Sequence, residues 1–460
     1  MKISFLGATR TVTGSRFLVE SNRLRILIDC GLFQGPREWK ERNWEAFPVD
    51  PSEVDAVVLT HAHIDHSGYL PRFVQLGFRG PIYCTPATAE LLSLMLPDSG
   101  HLQEEDAEFA NKSRYTKHEP ALPLYTEEQA LAALNQLHHV DFYKRFNLVE
   151  GLSFSFLRAG HILGSGMVEM NVDGPQPLRV LFSGDLGRPA QYITKKPDEV
   201  HEADYLVLES TYGNRLHQSV NVKERLAEII RETAAHGGVL LVPAFSIGRT
   251  QELLFLLRTL EEARQVPQLP VYIDSPMAIH ALPIYNRHNI DFSAELKKIA
   301  ARDDTPFICH HIHAMQSVAD SKKLNDVTYP AVIISASGMA TGGRILHHLK
   351  RRIGDHRNTV LFIGFQAAGT KGRFLVEGAR EIKIHGQEYP VRARIEYMDG
   401  LSAHADYAEM LDWLAFFRKP PRHVFLVHGE EEASKDMARR IRERFGWNVH
   451  VPGYLESVDL

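Results

Sequence analysis

His61, His63, Asp65 and His66 stand together in the run THAHIDHSG. Three imidazoles and a carboxylate this close are borderline ligands, better suited to zinc than to calcium or magnesium, which prefer all-oxygen sets. The run holds two donor pairs, and two pairs on one loop can serve two ions. Paired ions that activate water and clamp a phosphoryl or acyl oxygen point to a dinuclear metallohydrolase. A histidine-rich surface turn is the plain alternative.

A dinuclear centre needs more donors than one loop supplies. His161 in RAGHILGSG, Asp185 in LFSGDLG and His428 in VFLVHGE are each a ligand type at the end of an apolar run with glycine close by. Glycine lets the backbone approach closely in such turns. Taken singly, each is more often structural. Together with the first loop they complete a set of seven. Asp29, at the end of RILIDCG, is placed in the same way.

These side chains need rigid strands behind them. Short β-type runs dominate the first third: ISFLGA, SRFLVE, RILIDC and AVVLT. AVVLT ends at Thr60 and the metal run follows at once, with YLPRFVQLGF reading as a helix, so the ligands fall on a strand-to-helix loop. Residues 98 to 140 are polar with a helical pattern. Strand signals return in LSFSFLRAGH, VEMNV, RVLFSGD and YLVLEST. From about 213 strands alternate with helices: GGVLLVPAF then TQELLFLLRTLEEA, LPVYID then SPMAIHALPIYN, AVIISAS then GRILHHLKRR, then TVLFIGF. That rhythm predicts a parallel sheet with covering helices. After about 373 strands with further histidines return, and an amphipathic helix, SKDMARRIRERFG, closes the chain. The middle block reads as inserted into the first domain.

The 460 residues suit two or three domains, and 44% hydrophobic with 24% charged residues fits a globular protein with a sizeable core. No apolar stretch of about 18 residues occurs, so no membrane span is expected. The N-terminus lacks the apolar core and cleavage site of a signal peptide. Three widely spaced cysteines without a C-x-x-C argue against a disulfide framework and fit a reducing cytoplasm. The net charge of −5 gives no bulk signal for nucleic acid, although two divalent ions would make the site locally positive.

The ligand set, with Glu209 in LESTYGN, PAFSIGRTQE at 243–252, DSPMA at 274–278, SASGMATGGR at 335–344, GFQAAGTKGR at 364–373, SAHAD at 402–406 and VHGE at 427–430, resembles the metallo-β-lactamase fold and, within it, the β-CASP RNA nucleases, which include the cleavage and polyadenylation endonuclease and ribonuclease J. The resemblance covers nearly the whole chain. It implies an αβ/βα sandwich carrying an inserted parallel-sheet α/β domain, with the first domain at 1–210, the β-CASP insert at 211–372 and the returning RNA-metabolising segment at 373–460. It implies two zinc ions per chain. His61, His63 and His161 would hold one, Asp65, His66 and His428 the other, and Asp185 would bridge them. Asp29 would support the ligand loop, and His404, with Glu209 as its partner, would be the further catalytic histidine.

The implied chemistry is hydrolysis of RNA phosphodiesters by water activated at two zincs, with His404 protonating the departing ribose oxygen. Both endonucleolytic and 5′-exonucleolytic modes fit. Arg249, Arg344 and Arg373 each close a Gly- and Ser-rich turn after a strand, at 246–249, 337–344 and 367–373. Backbone N–H groups at such turns bind phosphates, so Ser246, Ser337, Gly338, Gly369 and Thr370 are expected phosphate contacts, and Ser402 of the SAHAD motif is expected with them. Lys371 stands where an apolar residue is the usual family pattern. The expected partner is single-stranded RNA in the cytoplasm, with self-association allowed and no membrane. Two rival readings remain at this point: a catalytically inactive RNA-binding subunit, and a hydrolase of the same fold acting on DNA or small esters. Inactive relatives lose metal ligands and the DNA-directed branch typically lacks a histidine at the place of His428; neither loss occurs here.

Overall fold

Along strand Tyr205–Glu209 the side chains alternate between two buried faces. Tyr205 and Val207 join one apolar core, whereas Leu206 and Leu208 join another. Strand His423–Val427 does the same, with Phe425 and Val427 on one side and Val424 and Leu426 on the other. A strand covered on both faces must be apolar throughout, and the period of two distributes its residues between the layers.

The computed structural model describes every residue except 114–118, 219, 220, 304 and 368. It divides the chain into two units. The first comprises Met1–Ala190, Lys196–Leu216 and His404–Leu460; the second comprises Gln191–Lys195 and His217–Ala403.

In the first unit two seven-stranded sheets enclose the inner core. The first sheet runs in the order Ser457–Asp459, Lys2–Phe5, Phe17–Ser21, Leu24–Ile28, Ala56–Val58, Ile82–Cys84, Leu137–His139. The second runs Val449–His450, His423–Val427, Tyr205–Glu209, Leu178–Phe182, Gly166–Val172, Leu152–Arg158, Phe146–Val149. Helices Tyr407–Leu414 and Glu431–Phe445 bury Met410, Leu411, Met437 and Ile441 on the outer face of the second sheet. Helix Pro86–Ser113 buries Leu91, Leu92, Met95 and Leu96. The result is the expected αβ/βα sandwich.

The second unit is a six-stranded sheet in the order Ile312–Ala314, Val271–Asp274, Ala331–Ser335, Val239–Pro243, Thr359–Ile363, Arg394–Met398. Every pairing in that sheet is parallel, and Glu381–Ile384 with Gln387–Pro390 forms a separate antiparallel pair in the unit. Its central strands are buried along their whole length, and helices Val222–Ala235, Arg249–Glu262, Pro276–Arg287 and Arg344–Arg352 alternate with them in sequence. The strand and helix rhythm read from the sequence is therefore present.

Two local features differ from that reading. The metal run does not stay a loop: Ile64–Ser67 forms one helical turn, so Asp65 and His66 lie on a helix. The chain also does not close on its last helix. Ser457–Asp459 pairs antiparallel with Lys2–Ser4 and extends the first sheet. A segment of three residues shows no periodicity; its pairing partner, far away in sequence, makes it a strand. Among the described residues no helix is long and apolar enough to cross a membrane.

Phe425 is 1% exposed and its ring centroid lies 5.3 Å from that of Phe5, which joins the two sheets. Phe425→Ala should destabilise the first unit by about 3–5 kcal/mol, the usual cost of emptying a buried phenyl site. Urea unfolding followed by near-UV circular dichroism would measure it.

Candidate metal centre

The predicted ligands sit at or just beyond the ends of strands. Asp29 follows Leu24–Ile28, Thr60 to His66 follow Ala56–Val58, His161 follows Leu152–Arg158, Asp185 follows Leu178–Phe182, and His428 follows His423–Val427. Asp29 and His428 both take left-handed backbone angles, with φ of 58° and 49°. Such angles cost on the order of 1 kcal/mol and persist where surroundings demand them.

Two donor clusters result, with His61, His63, His161 and Asp185 in one and Asp65, His66 and His428 in the other. In the first, His63 Nδ1 lies 3.1 Å from His61 Nε2 and 3.2 Å from His161 Nε2. Asp185 Oδ2 is 3.4 Å from the Nε2 of both His61 and His161. In the second, His66 Nε2 lies 3.2 Å from His428 Nε2, and His428 Nε2 lies 3.3 Å from Asp65 Oδ2. Asp185 Oδ1 is 3.1 Å from His66 Nε2. One oxygen of Asp185 thus faces each cluster.

The spacing fits bound ions. Four donors about 2.0–2.1 Å from a tetrahedral centre, the usual imidazole–zinc distance, stand about 3.3 Å apart. Asp185 Oδ1 is buried and makes no hydrogen bond of acceptable geometry, although a histidine nitrogen is within reach. Donors directed at a shared point and away from one another's protons leave that pattern.

Electrostatics agree. Burial, with the neighbouring His61 charge adding to it, pushes His63 down to about 3, and burial also lowers His61 and His161. Neutral imidazole is the ligand form. Burial works against the charge of Asp185, but the surrounding His428, His66 and His61 hold its carboxyl well below the usual range. At Asp65 the hydrogen bond from His428 likewise overcomes burial. At His66 the Asp185 and Asp29 carboxylates outweigh burial and raise the imidazole well above its ordinary value. The Nε2 position that a proton takes there is the one open to an ion.

A second layer fixes the tautomers. Asp29 Oδ1 accepts from the Thr60 amide at 2.8 Å, and Asp29 Oδ2 accepts from the Thr60 hydroxyl at 2.9 Å and from His66 Nδ1 at 2.7 Å. With its proton on Asp29, Thr60 Oγ1 accepts from His61 Nδ1 at 3.0 Å. Thr211 Oγ1 gives its proton to the His428 carbonyl and accepts from His428 Nδ1 at 3.2 Å. Each bond commits Nδ1, so Nε2 is the nitrogen that faces the cluster. Sequence reading missed Thr60 and Thr211; the one signal was their position beside His61 and Glu209.

His404 stands beside the centre. Its Nδ1 is 3.0 Å from Glu209 Oε1, and its Nε2 is 3.9 Å from Asp185 Oδ2, longer than the contacts among the cluster donors. Glu209 is held by the Leu186 amide at 2.6 Å and the Thr211 amide at 3.2 Å. Burial disfavours the His404 imidazolium, but Glu209 and Asp185 outweigh it and lift the group to about 9. His404 is also more exposed, at 17%, than His61, His161 or His428.

Family profiles match three stretches: the metallo-beta-lactamase superfamily over residues 11–225, the Beta-Casp domain over 250–375, and the Zn-dependent metallo-hydrolase RNA specificity domain over 388–452. The chain is 38% identical over 461 aligned residues to Ribonuclease TTHA0252 of Thermus thermophilus, covering 98% of this chain and 100% of that one. It is 30% identical to an RNase J-like protein of Methanocaldococcus jannaschii, covering 98% and 97%. It is 29% identical to the transcription termination factor FttA of the same organism, covering 100% of this chain and 71% of that protein. A crystal structure of a protein of unknown function from Enterococcus faecalis shares the fold, with a TM-score of 0.57 at 12% identity, covering 100% and 99% of the two chains. The chain belongs to the β-CASP family of metallo-β-lactamase-fold hydrolases.

The β-CASP motifs of the second unit form tight turns. Ser337 Oγ accepts from the Thr341 amide at 3.0 Å, and Gly338 packs where a Cβ would lie 2.8 Å from the Phe245 ring. Thr370 caps the helix Lys371–Val376 by accepting from the Arg373 amide at 3.2 Å, after Gly369 at φ of 77°. Ala368 of that motif lies outside the described residues. Ser246 Oγ bonds Ser275 Oγ at 2.8 Å, and Ser402 is buried. Arg249 is buried too, with its guanidinium on Glu252 and the Leu401 carbonyl. Its fork is committed inside the unit where the sequence suggested a phosphate contact. Arg344 bonds Asp274 at 2.7 Å and the Met315 and Gln316 carbonyls, whereas the more exposed Arg373 pairs with Glu377.

Asp29 touches no donor of the first cluster other than through Thr60, yet it holds His66 directly. Asp29→Ala should therefore weaken metal binding roughly 10–100-fold, the usual effect of removing an outer-shell partner. Competition with a chelator, read on the folded protein, checks this.

Proposed function

We propose that the chain is a zinc-dependent ribonuclease that hydrolyses RNA phosphodiester bonds. His61, His63 and His161 would hold one zinc and Asp65, His66 and His428 the second, with Asp185 offering one oxygen to each cluster. The observation that carries the reading is the joint arrangement: seven donors in two clusters, with the His404–Glu209 pair alongside. The names of the relatives and of the profile over 388–452 favour RNA over DNA or a small ester. An inactive subunit would have little reason to keep every ligand and its outer-shell partner. Single-stranded RNA suits such a site, because its phosphates and bases are free to be drawn in. The β-CASP insert at 211–372 and the segment at 373–460 complete this reading as its RNA-contacting parts, through Ser337, Gly338, Gly369, Thr370 and Arg373.

When bound, the ions supply an activated water and neutralise charge on the phosphoryl oxygens. The remaining work falls to side chains. Ribose oxygen is a poor leaving group and needs a proton as the P–O bond breaks. His404 Nδ1–H is given to Glu209, so the Nε2 proton is the one His404 can deliver. Glu209 fixes the ring and favours its charged form.

Metal-free protein should be inactive on labelled RNA and recover with zinc. Full activity in excess chelator, or faster turnover of DNA or ester substrates, would refute the assignment. 5′-labelled RNA separates exonucleolytic release of mononucleotides from internal cleavage. Asp185→Ala should abolish turnover most completely, because one carboxylate serves both clusters.

His404→Ala should keep its zinc and lose roughly 10²–10⁴ in turnover, the usual worth of positioned acid catalysis. The loss should be much smaller on a nitrophenyl phosphodiester, whose leaving group needs less protonation. An acid must be protonated to act, so the unsubstituted enzyme should slow as pH rises through the His404 titration, and His404→Ala should lack that alkaline limb. Equal losses on both substrates would make His404 structural.

A further inference from the structure

Arg16 is 2% exposed and has no carboxylate partner among the described residues. Its guanidinium lies between three rings, with centroids at 4.1 Å for Tyr69, 4.8 Å for Phe33 and 5.4 Å for Phe47. Nη2 donates to Asn43 Oδ1 at 3.2 Å, and Nε donates to the Gly31 carbonyl at 2.8 Å. Asn43 in turn clamps the Phe33 amide and carbonyl at 3.0 and 2.8 Å. Interior cations with only neutral partners are costly to desolvate, and an apolar side chain of similar volume is often as stable or more so. What an apolar residue could not do here is hold the Gly31 carbonyl.

Gly31 backs directly on the ligand turn. A Cβ built on it would stand 1.7 Å from the Asp65 carbonyl oxygen and 2.8 Å from the His66 nitrogen. The same three segments are laced by backbone bonds: Ser15 N to Asp65 O at 2.8 Å, Gly31 N to Ser15 O at 3.0 Å, Cys30 N to His66 O at 2.7 Å and Leu32 N to Ile64 O at 2.9 Å. A displacement of Gly31 therefore reaches Asp65 and His66 with no soft contact between. The other cluster depends less directly on Gly31: the His161 amide donates to Ser165 Oγ at 3.1 Å, and His61 reaches the Asp29–Gly31 segment only through Thr60 and the Asp29 side chain, which bypasses the Gly31 carbonyl.

We propose that Arg16 is a positioning residue that, through Gly31, sets the Asp65–His66 half of the metal centre in preference to the His61–His63–His161 half. The inference rests on the metal-centre reading above. The planar fork matters. It can stack flat on rings while its Nε–H reaches a carbonyl at the side, a combination an ammonium lacks.

The test is zinc binding by metal-stripped protein, titrated against a chromophoric chelator to give two stepwise affinities. Asp65→Ala and His63→Ala serve as references for which affinity belongs to which cluster. Arg16→Met should weaken by about tenfold or more the affinity that Asp65→Ala weakens, within the range seen for outer-shell substitutions, and leave the other within about threefold. Arg16→Lys should fall between. Wild-type values for both affinities in Arg16→Met, whatever its stability, would overturn the proposal, as would equal loss of both. If Arg16→Met does not fold, Arg16→Lys decides: it keeps the charge and loses the planar Nε donor, and two unchanged affinities in it overturn the proposal. Failure of the metal-centre reading itself shows separately, as absence of zinc uptake by the unsubstituted protein.

Discussion

The first unit is organised around one buried carboxylate. Asp185 is 2% exposed and lies 3.1 to 3.5 Å from nitrogens of His61, His66, His161 and His428. A lone carboxylate at that depth would cost several kcal/mol, and it stays charged only because positive charge, from imidazolium or metal, is held around it. Contacts of that length tolerate displacements of tenths of an ångström. The strands that carry them are accordingly buried on both faces and locked between two apolar layers.

Strand register supplies the outer shell. Ile28 pairs with Val58 on adjacent parallel strands, so Asp29 and Thr60 emerge side by side just beyond the pair. Glu209 pairs with Val427, which places Thr211 against His428. His66 and His428 are thus each oriented by a residue that follows the neighbouring strand, and His61 by Thr60, which Asp29 holds from that strand. Because a slip of one residue turns every side chain to the opposite face, the hydrophobic pattern that fixes the sandwich also fixes the tautomers.

The chemistry was legible because ligand types are rare and their spacing is local. His61 to His66 announce themselves in six residues, and His161, Asp185, Glu209, His404 and His428 sit beside glycines or motifs that mark strand ends. The α/β rhythm of residues 239 to 363 was equally readable, since both periods are long enough to count. What stayed hidden depends on contacts distant in the chain. The Arg16 cage draws on Phe33, Phe47 and Tyr69. The pairing of Ser457 with Ser4 has no local trace. Arg249 reads as a surface cation after a strand, and only the fold shows Glu252 and the Leu401 carbonyl waiting for it.

The division of labour among the histidines follows from what faces Nε2, and the partner of Nδ1 does not settle it. His61 and His428 give Nδ1–H to hydroxyls, while His66 and His404 give theirs to carboxylates. By that criterion His66 would belong with His404 as an acid. Yet His66 Nε2 is enclosed, 3.1 Å from Asp185 and 3.2 Å from His428 Nε2, so an ion competes there directly with the proton. His404 Nε2 stands 3.9 Å from Asp185, on a ring that keeps some exposure. In the mechanism proposed above, a proton on it leaves toward a substrate oxygen without vacating a ligand position. On the proposed reading, 0.8 Å and a partly open face therefore separate a ligand from a proton donor built from the same side chain and the same kind of partner.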